Sequence, residues 1–301
     1  MNSTMKSLLA IASFGLQLST PGSVQAEPCE TPTAIRYSMV PLRDADLDQR
    51  LHQPLFKRIT EVTGRPVEVV RATSYRSVVE GLLRGAIDMA ELGPATYLEA
   101  AKGDPQITAF ATMEKREGVY QIRGSHYQSM LTVLATSELR DVASLKGGSL
   151  ALTDPGSTSG AQLPRKHFAA QVGMPLENYF GTVSYSGSHA NSVLALAAGK
   201  VDAAFISSSQ LEEANTAGRL RKRDVRVLWT SGPIPYDPVV YRGQLCDPLK
   251  RELEAVLLGE GASVSLSDWL EAMNAVRFVP VEDSLYAGIR EVLEAPAPAA
   301  R

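Results

Sequence analysis

The stretch Leu150 to Phe168, LALTDPGSTSGAQLPRKHF, constrains this chain more than any other. Leu150, Ala151 and Leu152 read as the end of a short apolar strand, which Asp154, Pro155 and Gly156 break. Ser157-Thr158-Ser159-Gly160 then stands where a helix begins, and Ser and Thr are favoured N-caps because their hydroxyls satisfy first-turn amides. Hydroxyls beside the free N–H groups and positive dipole end of a helix make a ready oxyanion site. Gly156 and Gly160 let the backbone come close to a ligand. Pro164 predicts that the helix starts late or bends there. Capped strand–turn–helix junctions are also common in α/β chains that bind nothing, so the turn has to be read with its surroundings.

Those surroundings alternate strand and helix. Ala34 to Val40 reads as a strand. Leu47, Leu51, Leu55, Ile59 and Val62 then recur at helical spacing, up to a stop at Gly64. Val67 to Val70 is a second strand, and Ser74 caps a helix through Leu83 with Tyr75 in its first turn. Ile87 to Leu92 is a strand closed by Gly93-Pro94, before a helix over Ala95 to Lys102. Further on, strands are expected at Met130 to Ala135, Thr182 to Tyr185, Val201 to Ile206 and Val225 to Trp229. Helices are expected at Lys166 to Val172, from Gly187-Ser188-His189 to Ala198, and at Leu249–Leu258, Leu266–Met273 and Leu285–Leu293. The terminal APAPAAR reads as frayed. Gly85-Ala-Ile-Asp88-Met-Ala and Gly199-Lys-Val-Asp202-Ala-Ala repeat one grammar, so one architecture is used twice. The alternation implies a largely parallel, doubly wound sheet, with ligands beyond the carboxyl ends of the strands.

The chain has 301 residues, which suits two domains or one large one. Residues 1–26 read as a signal peptide: Lys6 supplies the positive region, Leu8 to Leu18 the apolar core, and Val24-Gln25-Ala26 the cleavage site. No later stretch approaches ~20 apolar residues, so a soluble exported protein is expected. The net charge of −3 becomes −4 once Lys6 is removed. The one basic run, Arg219 to Arg226, reads as solvated surface, so nucleic acid is not expected as a partner. Cys29 and Cys246 are the only cysteines. In an oxidising compartment they either pair or remain two thiols. With no CxxC and four scattered histidines, no metal site or cofactor is expected.

Placed in order, these pieces resemble the phosphate/phosphite/phosphonate-binding proteins of ABC importers. The resemblance rests on Tyr75 with Gly85-x-Ile-Asp88, Gly93-Pro94 with Tyr97, and Tyr127 ahead of the Leu131–Ala135 strand. It continues through Pro155 to Gly160 with Pro164, Gly187-Ser188-His189, and Ile234-Pro235-x-Asp237-Pro238. It implies a two-lobed clamshell with the ligand between the lobes, each lobe a doubly wound sheet flanked by helices. One lobe would be residues 27–124 plus 230–301, the other 125–229. It implies that Ser157, Thr158 and Ser159 hold the phosphonate oxygens with His189, that Tyr75 joins from the first lobe, and that Tyr127 is a further ligand residue. Asp237 matches one of two acids that bind an ammonium in members taking 2-aminoethylphosphonate. The second acid falls on Ser209 and a further tyrosine on Leu92, so the family is better specified than the ligand. The implied protein is a periplasmic monomer that delivers a small oxyanion to an inner-membrane ABC permease and catalyses nothing.

Three rivals keep some of these features. Gly156 to Gly160 match G-x-S-x-G, the nucleophile elbow of α/β-hydrolases, with Ser159 as nucleophile and His189 as base. Such enzymes place an acid and then a histidine after the serine, and no histidine follows His189. The same fold also suits a ligand-sensing subunit for a membrane sensor kinase, or capture of another oxyanion such as a sulfonate.

Overall fold

The described residues of this computed structural model are 29–296. The expected signal peptide over 1–26 and residues 297–301 of the terminal segment lie outside them. In chain order the strands are β1 (Ile35–Met39), β2 (Val67–Val69), β3 (Met89–Glu91), β4 (Thr108–Lys115), β5 (His126–Tyr127) and β6 (Ser129–Leu134). There follow β7 (Ser149–Leu152), β8 (Thr182–Tyr185), β9 (Ala203–Ser207), β10 (Val225–Thr230), β11 (Ile234–Pro235), β12 (Pro238–Tyr241) and β13 (Ala275–Pro280).

Two sheets share one plan. Their orders are β13-β4-β12-β3-β1-β2 and β10-β6-β9-β7-β8. β2, β1 and β3 are parallel, as are β8, β7 and β9. The remaining strands run antiparallel to their neighbours. The expected largely parallel sheet is therefore corrected to a mixed one. The chain leaves the first sheet at β4, builds the second, and re-enters at β12. β12 thus lies antiparallel to β3 and β4, and the helices from Asp247 to Ala272 carry the chain over β4 to β13 on its far side. The β5–β11 ladder, pairing Tyr127 with Ile234, lies where the chain crosses. Helices cover both faces of each sheet. Leu55, Ile59, Leu253 and Trp269 pack on one face of the first, and Val78, Leu82, Tyr97 and Tyr286 on the other. The second sheet is enclosed by Phe168 and Phe180 on one side and by Val193, Leu196 and Leu211 on the other. The result is a two-lobed α/β fold. No helix among the described residues is long and apolar enough to cross a membrane.

The repeated Gly-x-apolar-Asp motif has the same place in both sheets. Asp88, just before β3, accepts from the Arg36 amide of β1 at 2.9 Å. Asp202, just before β9, accepts from the Ser149 amide of β7 at 2.7 Å. Each carboxylate ties the start of one parallel strand to its neighbour. Asp88 is fully buried and also holds the Arg36 guanidinium and, at 2.9 Å, Nε of Arg242. Asp202 is exposed and adds only the Ser149 hydroxyl. Arg242 continues to Glu30, beside the Cys29–Cys246 disulfide, so the two cysteines do pair.

Two helix expectations change. The Leu47–Val62 pattern is split at His52 into Ala45–Leu51 and Gln53–Thr63, because Pro54 has no N–H to continue the ladder and fits only a first turn. The helix after Ser157 does not start late: it is helical from Thr158 to Val172, with wide turns on both sides of Leu163. Its first turns are wide, with Gln162 N donating to Ser157 O at 2.9 Å. The carbonyl that Pro164 leaves free, that of Gly160, accepts from the Thr153 amide at 3.1 Å instead.

Asp88→Asn should cost about 3 kcal/mol or more, since it removes the buried charge that Arg36 and Arg242 share and leaves Arg242 only Glu30. Asp202→Asn at the equivalent exposed position should cost about 1 kcal/mol or less. Urea unfolding of the two variants checks this, and equal costs would show that burial of the network is unimportant.

Candidate functional site

The carboxyl ends of the parallel strands of both sheets converge on one small enclosed cavity. The N-termini of five helices border it, contributing Tyr75, Gly93, the Ser157–Ser159 turn, His189, and Ser207 with Ser209 and Gln210. All seven sequence-expected residues, Tyr75, Tyr127, Ser157, Thr158, Ser159, His189 and Asp237, line it. Leu42, Gly93, Ser207, Gln210 and Tyr236 line it as well, together with Ser209. Leu92 does not; it is fully buried in the core of the first lobe. None of the lining residues is a lysine or an arginine. A larger open cleft, walled by Tyr97, Phe110, Asp283 and Arg290, shares none of the expected residues.

The central turn is held rigidly. Asp154 Oδ1 accepts from the Gly156 amide at 2.8 Å, and Ser157 Oγ caps the helix by accepting from Gly160 N at 3.0 Å. Hydrogen is the only side chain that fits at two places. A Cβ on Gly160 would stand 2.1 Å from Thr153 Oγ1, and one on Gly156 would stand 2.9 Å from Tyr75 Cβ. Gly156 is thus where the turn touches the first lobe. Thr158 reaches across as well: its hydroxyl accepts from the Ala95 amide at 2.9 Å. The Pro94–Gly103 helix has no side-chain cap of its own, so Thr158 supplies one from the other lobe.

His189 opens the His189–Ala197 helix, capped by Ser188. Its Nδ1 lies 3.2 Å from the Ser207 amide, which can only donate, and 3.2 Å from Thr153 Oγ1. Nδ1 is therefore the acceptor, and the neutral ring carries its hydrogen on Nε2. Nε2 faces Ser159 Oγ at 3.3 Å and Ser157 Oγ at 3.4 Å. Burial pushes the imidazole down to about 3, so it stays neutral. The ring is a fixed hydrogen-bond donor beside two hydroxyls.

The first lobe adds Tyr75 and Asp237, and the crossing ladder adds Tyr127. Tyr75 is buried and its hydroxyl has no partner among the described residues. Burial, then the nearby Asp237, holds it well above the usual phenol range. Tyr127 is shifted the same way for the same reasons, and its ring meets Tyr236 edge-on at 5.5 Å. Asp237 has an unpartnered, buried Oδ1. Burial, reinforced by Glu91, pushes its carboxyl up to about 7 against the opposing pull of Tyr127, Lys115 and Arg43. The Ser209 hydroxyl lies 3.3 Å from that of Ser207.

Arranged in this way, helix amides, neutral hydroxyls and one imidazole N–H point at a common space, the donor set an oxyanion needs. The family model described as "ABC transporter, phosphonate, periplasmic substrate-binding protein" matches residues 37–286. The chain belongs to this family. It is 28% identical over 286 residues to the phosphate-import protein PhnD of Mycolicibacterium smegmatis, covering 87% of this chain and 86% of that one. Among solved structures it resembles a binding protein component of an ABC phosphonate transporter from Pseudomonas aeruginosa, with a TM-score of 0.79 at 23% identity, covering 86% and 85% of the two chains. It also resembles PhnD1 of Prochlorococcus marinus in complex with methylphosphonate, with a TM-score of 0.76 at 20% identity, covering 87% and 97%. Both structural likenesses are those of the two-lobed periplasmic-binding-protein fold.

Leu42, Gln210 and Tyr236 escaped the sequence reading. Gln210 follows β9 at a helix start and Leu42 follows β1, so the carboxyl-end rule reaches both. Tyr236 adjoins Asp237 and is marked only by that neighbour.

The neutral His189 has a consequence for acid stability. Its folded-state value lies below the unfolded one near 6.5, so the unfolded chain binds a proton that the folded chain refuses. Stability is thus full above pH ~6.5 and falls below it by about 1.4 kcal/mol per unit, down to the folded value. His189→Gln should remove that slope in urea unfolding between pH 7 and 4. An unchanged slope would mean that the ring titrates freely.

Proposed function

We propose that this chain captures a phosphorus oxyanion (phosphonate, phosphite or phosphate) between its lobes and hands it to an ABC permease of the inner membrane. The supporting observation is the convergence of the Ser157–Ser159 turn and the His189 Nε2–H on a cavity bordered by helix N-termini and free of lysine and arginine. Ser157, Thr158, Ser159 and His189 hold the oxygens from residues 125–229. Tyr75 and Asp237 close over them from residues 27–124 plus 230–301, with Tyr127 beside them at the crossing between the lobes. The protein works in the periplasm as a monomer, without nucleic acid, metal or cofactor.

Two arguments favour capture over catalysis. A serine hydrolase needs Nε2 of its histidine free to take the serine proton, while Nδ1–H is oriented by an acid. Here the Ser207 amide occupies Nδ1, and the hydrogen lies on the side of Ser159. The only acid between the two in sequence, Glu177, is paired at the surface with Arg165. The names of the relatives, phosphate import in one and phosphonate transport in another, bracket the same ligand chemistry.

Calorimetry with methylphosphonate, phosphite, phosphate, 2-aminoethylphosphonate and sulfate tests this reading. A phosphorus compound should bind and sulfate should not. Ser157→Ala with Thr158→Ala should weaken that compound by about 10- to 100-fold per hydroxyl. Unchanged affinity would remove the turn from the site.

Asp237 reports the substituent. Above pH ~7 it becomes charged and repels an anion, so methylphosphonate affinity should fall there in the wild type relative to Asp237→Asn. An ammonium-bearing phosphonate should show the reverse trend against the same variant. Parallel pH profiles in the two proteins would place Asp237 out of reach of the ligand.

A further inference from the structure

Arg43 does not line the cavity, yet it joins the two lobes. It follows β1, and its guanidinium Nη1 donates to Asp48 Oδ1 at 2.8 Å within the first lobe. Its Nε donates to Glu213 Oε2 at 2.6 Å, on the Ser208–Thr216 helix of the second. The Arg43 side chain is 12% exposed and that of Glu213 is 27% exposed. Partial burial makes such a charge-assisted bond stronger than a fully solvated surface pair. Beside it, the Leu42 carbonyl accepts from the Ala190 amide at 3.2 Å, a first-turn N–H of the His189 helix. Two adjacent residues of the first lobe thus grip two helices of the second.

We propose that Arg43 and Glu213 form a clasp that holds the lobes closed on the ligand, making Arg43 a positioning residue for capture. This rests on the reading of the cavity as the capture site. Three features fit a bond that must be made and broken repeatedly. Opening leaves neither charge alone: Arg43 keeps Asp48, while Glu213 keeps Arg219 at 3.3 Å and Gln210 Nε2 at 3.2 Å. The penalty for stranding a buried charge is therefore not incurred on release. The clasp is also coupled to the site through its neighbours, since Leu42 and Gln210 both line the cavity. Finally, arginine is charged at every working pH, so the cationic half of the clasp is always present.

The test compares two carboxylates on the same guanidinium. Glu213→Gln removes the bond between lobes, and Asp48→Asn removes the one within a lobe. With methylphosphonate as the probe, or whichever compound of the panel binds the wild type, Glu213→Gln should release it about 10- to 100-fold faster by stopped flow. The association rate should change less than the release rate. Asp48→Asn should lower the unfolding midpoint and change release less. An Arg43→Gln/Glu213→Gln double variant should release no faster than the faster single variant, because both singles lose the same bond. Equal release rates in Glu213→Gln and wild type would overturn the clasp, as would additive effects in the double variant. Failure of the wild type to bind any compound is a failure of the ligand reading, seen before any variant is made. The clasp is then decided by small-angle scattering of the ligand-free proteins. A larger radius of gyration in Glu213→Gln supports it, and identical radii overturn it.

Discussion

The hydrogen bond from the Ser207 amide to Nδ1 of His189 decides where the imidazole hydrogen points, and the chemistry of the cavity follows from that choice. A backbone amide cannot switch roles, so the ring is locked as a donor on Nε2. The lock also ties two elements together, because Ser207 ends β9 and caps the next helix while His189 begins another. A neutral donor at this place suits a site in which every attraction for negative charge comes from peptide dipoles and hydroxyls. Such groups are fixed in direction, whereas a lysine would supply charge with little geometry.

The two-lobed plan explains why these groups meet. In each sheet the parallel strands deliver helix starts to one edge, and the mixed sheets bring two such edges face to face. The Asp88 and Asp202 ties fix neighbouring parallel strands against each other at the opposite ends of those strands. Thr158 then belongs to both lobes at once, capping a helix of one while standing in the turn of the other.

Much of this is legible in the sequence, and the parts that are not have physical reasons. The parallel strands are short apolar runs between a helix stop and a polar cap, a pattern that stands out locally. β12 is four residues following directly on Asp237, and β4 carries Thr, Met and Lys among alanines, so neither announces itself. Their pairing is settled by the returning chain, which no local window contains. Pro54 and Pro164 mislead in opposite directions. The first divides a periodic stretch that reads as one helix, and the second is absorbed by a wide turn because Thr153 uses the freed carbonyl. In the site, hydroxyls after a strand and a histidine at a helix start are recognisable types in recognisable places. Leu42 and Gln210 are generic residues whose importance comes only from the approach of the opposite lobe.

That approach has a hard stop. Gly156 sits against Tyr75 and Thr96 with room for a hydrogen and nothing more. The gap between the closed lobes is thereby gauged by main chain, a dimension that exchanging lining side chains leaves untouched. The spacing of the lobes in this architecture is inherited from the turn itself. Shortening a lining side chain such as Tyr127 would add room inside the cavity, while a descendant that closed at another distance would have to lengthen or re-route residues 154–156.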